Sequence, residues 1–239
     1  MKPIIFGLFL LSLLACYSQQ QKPTPKATYP DVRIAGAMRN VMWKGELAGI
    51  IRLDTISYKK NWYGLGPLSG LRGELLVKNG QTYVSKVLTD SSMVVDKTAQ
   101  VSAPFFVYGQ VNEWEEMLLP KTVKTIQDLE TLIDQKTLTQ KRPFAFRLNG
   151  RVTSALIHIQ NLPEGTAVSS PQEAHQGQVK YALQNEWVDI IGFFSTAHQG
   201  IFTHHDSYLH LHLINRDEGK MGHLDQVQLD SMILYLPKK

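Results

Sequence analysis

The chain has 239 residues, 43% of them hydrophobic, with 25 lysines and arginines against 21 acids and a formal net charge of +4. That apolar content supports a packed core and excludes a disordered chain, and the length suits one domain or two closely packed halves. The basic residues are scattered, with no basic run interleaved with aromatics, which excludes a nucleic-acid footprint.

The N-terminus reads as an export signal. Lys2 precedes an apolar run over residues 3–15, too short to span a bilayer and of the length of a secretory core. Leu13-Leu14-Ala15-Cys16 resembles a bacterial lipobox, in which the cysteine is lipidated and becomes the first residue of the mature chain. Cys16 is the single cysteine of the sequence, so no disulfide is expected. Residues 19–30 are polar, Gln-rich and punctuated by proline, the composition of a flexible tether. The expectation is a signal peptide over residues 1–15, a lipid-anchored linker over 16–30 and a domain over 31–239. The protein is then an exported cell-envelope lipoprotein, periplasmic or attached to the outer membrane, that meets a membrane only through Cys16. No later segment is long and apolar enough to span a bilayer.

Strand signals dominate the rest. Residues 39–51 suit a short helix, with Met42, Leu47 and Ile50 or Ile51 as its buried side. Runs at 71–78 and 82–88 flank Asn79-Gly80, a type I′ hairpin signal. Residues 101–111 are rich in aromatic and β-branched side chains. Between Pro120 and Arg142 the period changes. Val123, Ile126, Leu129, Leu132 and Ile133 recur at helical spacing and predict an amphipathic helix packed on a sheet. Residues 144–148 and 152–160 read as two strands around Asn149-Gly150, a second hairpin signal. Residues 161–178, rich in Gly, Pro, Ser and Gln, read as a long loop. Segments 187–194, 208–215 and 223–236 complete the β content. Trp43, Trp62, Trp114 and Trp187 are expected as packing residues.

The most informative stretch is Tyr208-Leu-His-Leu-His-Leu-Ile214, followed by Gly222-His223. Strand side chains alternate faces, so His210 and His212 point one way and Leu209, Leu211 and Leu213 the other. The polar segment 215–222 carries two glycines and reads as a turn. A chain reversing there can return His223 beside the first two histidines. Three converging imidazoles leave a coordination position open, as catalytic zinc requires. Spacing alone leaves this reading and a solvated polar sheet face both open. His204 and His205, just before the strand, could line the site or be exposed. His175 and His198 lie in loop-like sequence and are expected to be solvated.

Four blocks then carry a resemblance. They are Gly64-Leu-Gly66 continued by Gly73-Glu74 and a hairpin reaching Tyr83; the amphipathic helix leading into Pro143-Phe144-Ala145 and Asn149-Gly150; Ile191-Gly192-Phe193; and Gly222-His223. In this order and spacing the chain resembles the α-acetolactate decarboxylase family over residues 34–235. The resemblance implies an α/β (α+β) fold of two closely packed β-rich halves, 31–140 and 141–239, with few helices. The first would hold a mixed sheet and the second would be β-barrel-like. It also implies Zn2+ on His210, His212 and His223, and a carboxylate, Glu74, near the metal. The implied reaction is decarboxylation of a small 2-hydroxy-3-keto acid such as α-acetolactate, giving acetoin and CO2. Whether the chain forms a homodimer stays open.

The chemistry suits those residues. A Lewis acid gripping the carbonyl and hydroxyl oxygens stabilises the charge left as CO2 departs. A proton donor must then quench the carbanion. The chain also departs from the family pattern. Where the family carries an arginine on the strand after Asn149-Gly150, an ungapped register puts His158 and a neighbouring one Gln160. Pro67 replaces a threonine of the glycine-led segment, and no acidic residue follows Asp230 where the family has a tail glutamate. Glu74 and His158 are therefore the candidate catalytic groups, and an altered activity or substrate is expected. The alternative is a non-catalytic metal-binding envelope lipoprotein that binds a small ligand. A cupin fits less well, because Glu218 follows His212 one residue too late and His223 follows too soon.

Overall fold

The computed structural model describes residues 32–56 and 60–238. The signal peptide, Cys16 and the linker expected over 16–30 lie outside the described residues. The described chain begins with β1 (Arg33–Ala35), α1 (Met38–Lys44), β2 (Ile51–Arg52), β3 (Trp62–Pro67), β4 (Glu74–Lys78), β5 (Gln81–Thr89) and β6 (Ser92–Lys97). Then come β7 (Ser102–Ala103), β8 (Phe106–Gln110), β9 (Trp114–Leu118), α2 (Ile126–Lys136), β10 (Phe144–Ile159) and α3 (Pro171–Ala174). The last four strands are β11 (Val179–Gln184), β12 (Trp187–Phe194), β13 (Leu209–Asn215) and β14 (Met221–Pro237).

One sheet has the order β1-β8-β3-β4-β5-β6, and a second has β11-β10-β12-β13-β14-β9. In the second, β10 also pairs with β14, so the ring β10, β12, β13, β14 closes on itself. Two packed β-rich halves, the second barrel-like, are what the resemblance implied. The first sheet differs in being antiparallel throughout rather than mixed. Short turns join β3 to β4, β4 to β5 and β5 to β6, and parallel neighbours would need long crossovers. β9 and α2 precede residue 140 yet pack with the second sheet.

Local chemistry explains most elements. Asn79 and Gly80 have φ of 51° and 84°, and Lys78 pairs with Gln81, so the predicted two-residue hairpin forms. Thr125 and Asp128 form a capping box at the start of α2, which buries Leu129 and Ile133. α1 stops at Gly45, which adopts the left-handed conformation with φ of 64°. The helix is therefore shorter than expected over 39–51. Its buried side is Met38 and Val41, while Ile50 is 63% exposed. Trp62 is buried, but Trp43 and Trp187 are exposed, the latter beneath the Arg216 guanidinium.

Asn149-Gly150 makes no turn. β10 runs straight through it as one strand of 16 residues. Gly150 lies where β10 passes β14, and a Cβ there would sit 2.1 Å from the Ser231 carbonyl oxygen. The glycine marks a close backbone approach, beside a register shift, rather than a hairpin. β11 was not expected from the sequence. Its short run has only Tyr181 and Leu183 buried, and it pairs with the second half of β10.

The two faces of the second sheet have different neighbours. Leu209, Leu211 and Leu213 join Leu148, Ile157, Leu224 and Leu234 in a core closed by α2. On the other face Ala145, Ile191, Phe193, Ile214 and Met221 pack on Leu65, Leu76, Tyr83 and Val107 of the first sheet. Each large apolar side chain fully buried there contributes roughly 1.5–3 kcal/mol, so the seam is a firm joint. Alternation along β13 sends His210 and His212 toward this seam.

Candidate metal centre

Strand register assembles the site. His212 on β13 opposes His223 on β14, and His223 opposes His158 on β10. The three form one row across adjacent strands, with His210 two residues along on the same face. The turn over 215–220 fixes this register. Asn215 Oδ1 accepts from the Gly219 and Lys220 amides at 3.0 and 2.9 Å. At Gly222 a Cβ would lie 2.5 Å from the His158 carbonyl oxygen, so glycine lets β14 approach β10 just before His223.

His210, His212 and His223 each offer one ring nitrogen within 4.8 Å of the others, and all three rings are buried. Among the described residues, His210 Nδ1 and both nitrogens of His212 have no partner in hydrogen-bonding geometry. A buried polar atom left unpaired costs about 1–3 kcal/mol, so the cluster is built for a partner of another kind. Glu74, from β4 across the seam, is 3% exposed. One carboxylate oxygen lies 3.7 Å from His212 Nε2. The other lies 4.0 Å from His158 Nε2 and accepts from the Gln160 amide at 3.2 Å. Three imidazoles and a carboxylate suit a divalent metal of the zinc type.

The electrostatics agree. Burial, with the neighbouring His212, holds His210 well below its ordinary proton affinity; burial, with His158, does the same for His223. Burial and the charge of His158 push His212 down to about 3. The neutral imidazole is the form that binds a metal. Burial lifts the Glu74 carboxyl well above the usual range, and the Gln160 amide only partly offsets it. A cation beside Glu74 would favour its charged form.

Around this centre His158 Nδ1 lies 2.6 Å from Asp225 Oδ1, and Lys180 Nζ lies 3.4 Å from Asp225 Oδ2. Burial alone would raise the Asp225 carboxyl, but the His158 hydrogen bond, its charge and Lys180 together bring it below its ordinary value. His204 Nε2 lies 3.2 Å from His223 Nε2, so His204 belongs to the site, while His205 is exposed. His198 is bound to the Ser195 hydroxyl at 2.7 Å. A cavity of about 30 Å³ adjoins the cluster, walled by Met38, Met42, Pro67, Phe105 and Gln160. That is room for about two waters, although the methionine walls are pliable.

All five residues singled out in the sequence, Glu74, His158, His210, His212 and His223, thus meet at the seam. Sequence reasoning missed Asp225 and Lys180. The first sits at a break in strand register and the second on β11, and neither carries a local signal.

The family model for alpha-acetolactate decarboxylase matches residues 37–237. The alpha-acetolactate decarboxylase of Brevibacillus brevis is 22% identical over 240 residues, covering 95% of this chain and 81% of the relative. Acetolactate decarboxylase from Bacillus subtilis subspecies spizizenii has a similar structure, with a TM-score of 0.73 at 21% identity over 87% of this chain and 86% of that one. So does a Staphylococcus aureus protein of unknown function, similar to alpha-acetolactate decarboxylase, with a TM-score of 0.73 at 16% identity, covering 85% of this chain and 84% of that one. The structural likenesses establish the shared fold. The model match, which takes in β4, β10 and the histidine hairpin, establishes that the chain belongs to the alpha-acetolactate decarboxylase family.

Proposed function

We propose that the protein is a zinc-dependent carboxy-lyase that removes CO2 from a small 2-hydroxy-3-keto acid such as α-acetolactate, giving acetoin. The observation that carries this reading is the convergence of His210, His212 and His223 beside the buried Glu74. His210, His212 and His223 would hold the metal. Bound there, it supplies a Lewis acid for the substrate oxygens and stabilises negative charge as it develops. Glu74 orients the substrate hydroxyl. The bond to the carboxylate carbon breaks, its electron pair stays with the substrate, and CO2 leaves. His158 gives the carbon a proton through Nε2, which faces Glu74, and regains one from solvent.

A second reading has one observation in its favour. His204, 3.2 Å from His223, offers a further nitrogen that could close the metal site. A closed site suits a non-catalytic metal-binding protein. Supplying racemic acetolactate to metal-loaded and metal-stripped protein separates the two. Acetoin and CO2 from the loaded protein alone support the lyase, and fully loaded protein without turnover supports the closed site. Export and lipidation at Cys16 belong to the same proposal and rest on the lipobox-like Leu13-Leu14-Ala15-Cys16.

A further inference from the structure

Asp225 is the extra residue of a β-bulge. On β14, Leu224 opposes Ile157 and Gln226 opposes Leu156, so residue 225 has no opposite number on β10. A bulge shifts the phase of side-chain alternation for the residues that follow it, while Asp225 keeps the face of His223. Here it lets Leu224 and Val227 both stay in the core while the Asp225 carboxylate turns to β10. One carboxylate oxygen meets His158 Nδ1 at 2.6 Å. The other faces Lys180 Nζ at 3.4 Å, and Lys180 on β11 is the residue directly opposite His158. Glu74 on β4 lies 4.0 Å from Nε2 and the His223 ring 4.6 Å between centroids, and His175, His204, His210 and His212 also lie close enough to feel a charge on His158.

We propose that Asp225, braced by Lys180, is a positioning residue: it holds the hydrogen of His158 on Nδ1 and turns Nε2 toward Glu74 and the cavity. This rests on the reading of His158 as the proton-transfer group. An ionised carboxylate only accepts hydrogen bonds, so the nitrogen facing it must carry hydrogen. The nitrogen left to exchange a proton is then Nε2, on the side of the metal cluster. A free imidazole would divide its hydrogen between both nitrogens and rotate about its χ angles. The Asp225 contact removes both freedoms, as the carboxylate of a Ser-His-Asp triad fixes the tautomer and orientation of its imidazole. An arginine at position 158 would hold a fixed charge and exchange no proton. Asp225 and Lys180 therefore make a histidine serviceable there.

The test is 15N NMR of the histidine rings in zinc-loaded full-length protein, in alkaline buffer where imidazole is neutral. A His158→Gln sample assigns the resonance. Wild type should show His158 protonated on Nδ1 and bare on Nε2. In Asp225→Asn the side-chain amide can donate to Nδ1, and the hydrogen should move to Nε2. Asp225→Glu should restore the wild-type pattern. Zinc content should be equal in all three. With acetolactate, kcat of Asp225→Asn should fall roughly 100-fold, with KM within about threefold, and Asp225→Glu should recover part of it. A wild-type His158 bare on Nδ1 overturns the proposal whether or not any variant folds. So do identical ring shifts in wild type and Asp225→Asn, or altered shifts with unaltered kcat. Altered shifts in a protein whose wild type turns over no acetolactate uphold the hold of Asp225 on His158 and sink the decarboxylase reading.

Discussion

His212 on β13 stands directly opposite His223 on β14, and their ring centroids lie 5.5 Å apart. The pairing makes the metal cluster a property of one hairpin's register. A slip of one residue would send one of the two histidines to the opposite face of the sheet. Removing His210 and His212 together should therefore abolish stoichiometric metal binding. Each single alanine variant should weaken affinity by at least roughly tenfold, about 1.4 kcal/mol. Elemental analysis and competition with a chelating dye measure both. Unchanged metal content in the His210→Ala, His212→Ala double variant would contradict the assignment.

Gly222 should matter to the centre although it bears no ligand. A methyl group there meets the His158 carbonyl oxygen at 2.5 Å, a backbone atom that yields only if β10 and β14 move apart. Gly222→Ala should lower stability by roughly 1–3 kcal/mol and weaken metal affinity as well, since His223 and His158 shift together. Gly219→Ala, where nothing lies within 4 Å of an added Cβ, is the control and should leave affinity unchanged. Equal affinities in the two variants would show that the close approach does not set the site.

Metal-free protein should lose stability on the acid side. His204, His210 and His223 are held below 6.5 and His212 falls to about 3, each chiefly by burial. The unfolded chain takes up these protons near pH 6.5 and the folded chain does not. The stability they contribute is fully present above pH 6.5 and is lost as pH falls toward the folded values. Glu74 has the opposite sign. Its folded value is raised from 4.5, so its contribution is present below pH 4.5 and is lost as pH rises through the folded value. Metal-free Glu74→Gln should melt higher than wild type at pH 8 and lose stability steeply between pH 6.5 and 4. Thermal melts across that range check both. A Glu74→Gln protein that grows more stable on acidification would contradict the assignment.

Cys16 should carry lipid. Labelled fatty acid should enter the wild type and not Cys16→Ser, and the mature wild-type chain should begin at residue 16. Equal labelling of both proteins would contradict the lipobox reading.

The contrast between two Asn-Gly pairs shows what was legible in the sequence. Asn79-Gly80 makes the expected hairpin because both residues adopt positive φ at the end of a two-strand ladder. Asn149-Gly150 carries the same letters but lies inside β10, where the glycine admits the backbone of β14. That contact is more than 80 residues away in sequence, and no local rule encodes it. α2 was legible from its period, and the faces of β13 from simple alternation. Asp225 was not, because its partner His158 is 67 residues away in sequence and nothing local pairs the two. Lys180 was not, because β11 is short and gains its place only by pairing with β10. The clustered histidines were legible because one strand and one turn bring them together. Their partners Glu74 and Asp225 come from β4 and a bulge, where only the fold, or for Glu74 the family resemblance, brings them in, and for His204 the fold decides between the two readings the sequence left open.

The most direct test is CO2 release from α-acetolactate by metal-free full-length protein titrated with zinc. Release should be absent at the start, rise linearly, and level off at one equivalent of zinc per chain, with acetoin formed mole for mole. The His212→Ala protein should stay inactive at every zinc level. A wild-type protein that binds one equivalent of zinc and releases no CO2 above the uncatalysed rate would contradict the decarboxylase assignment.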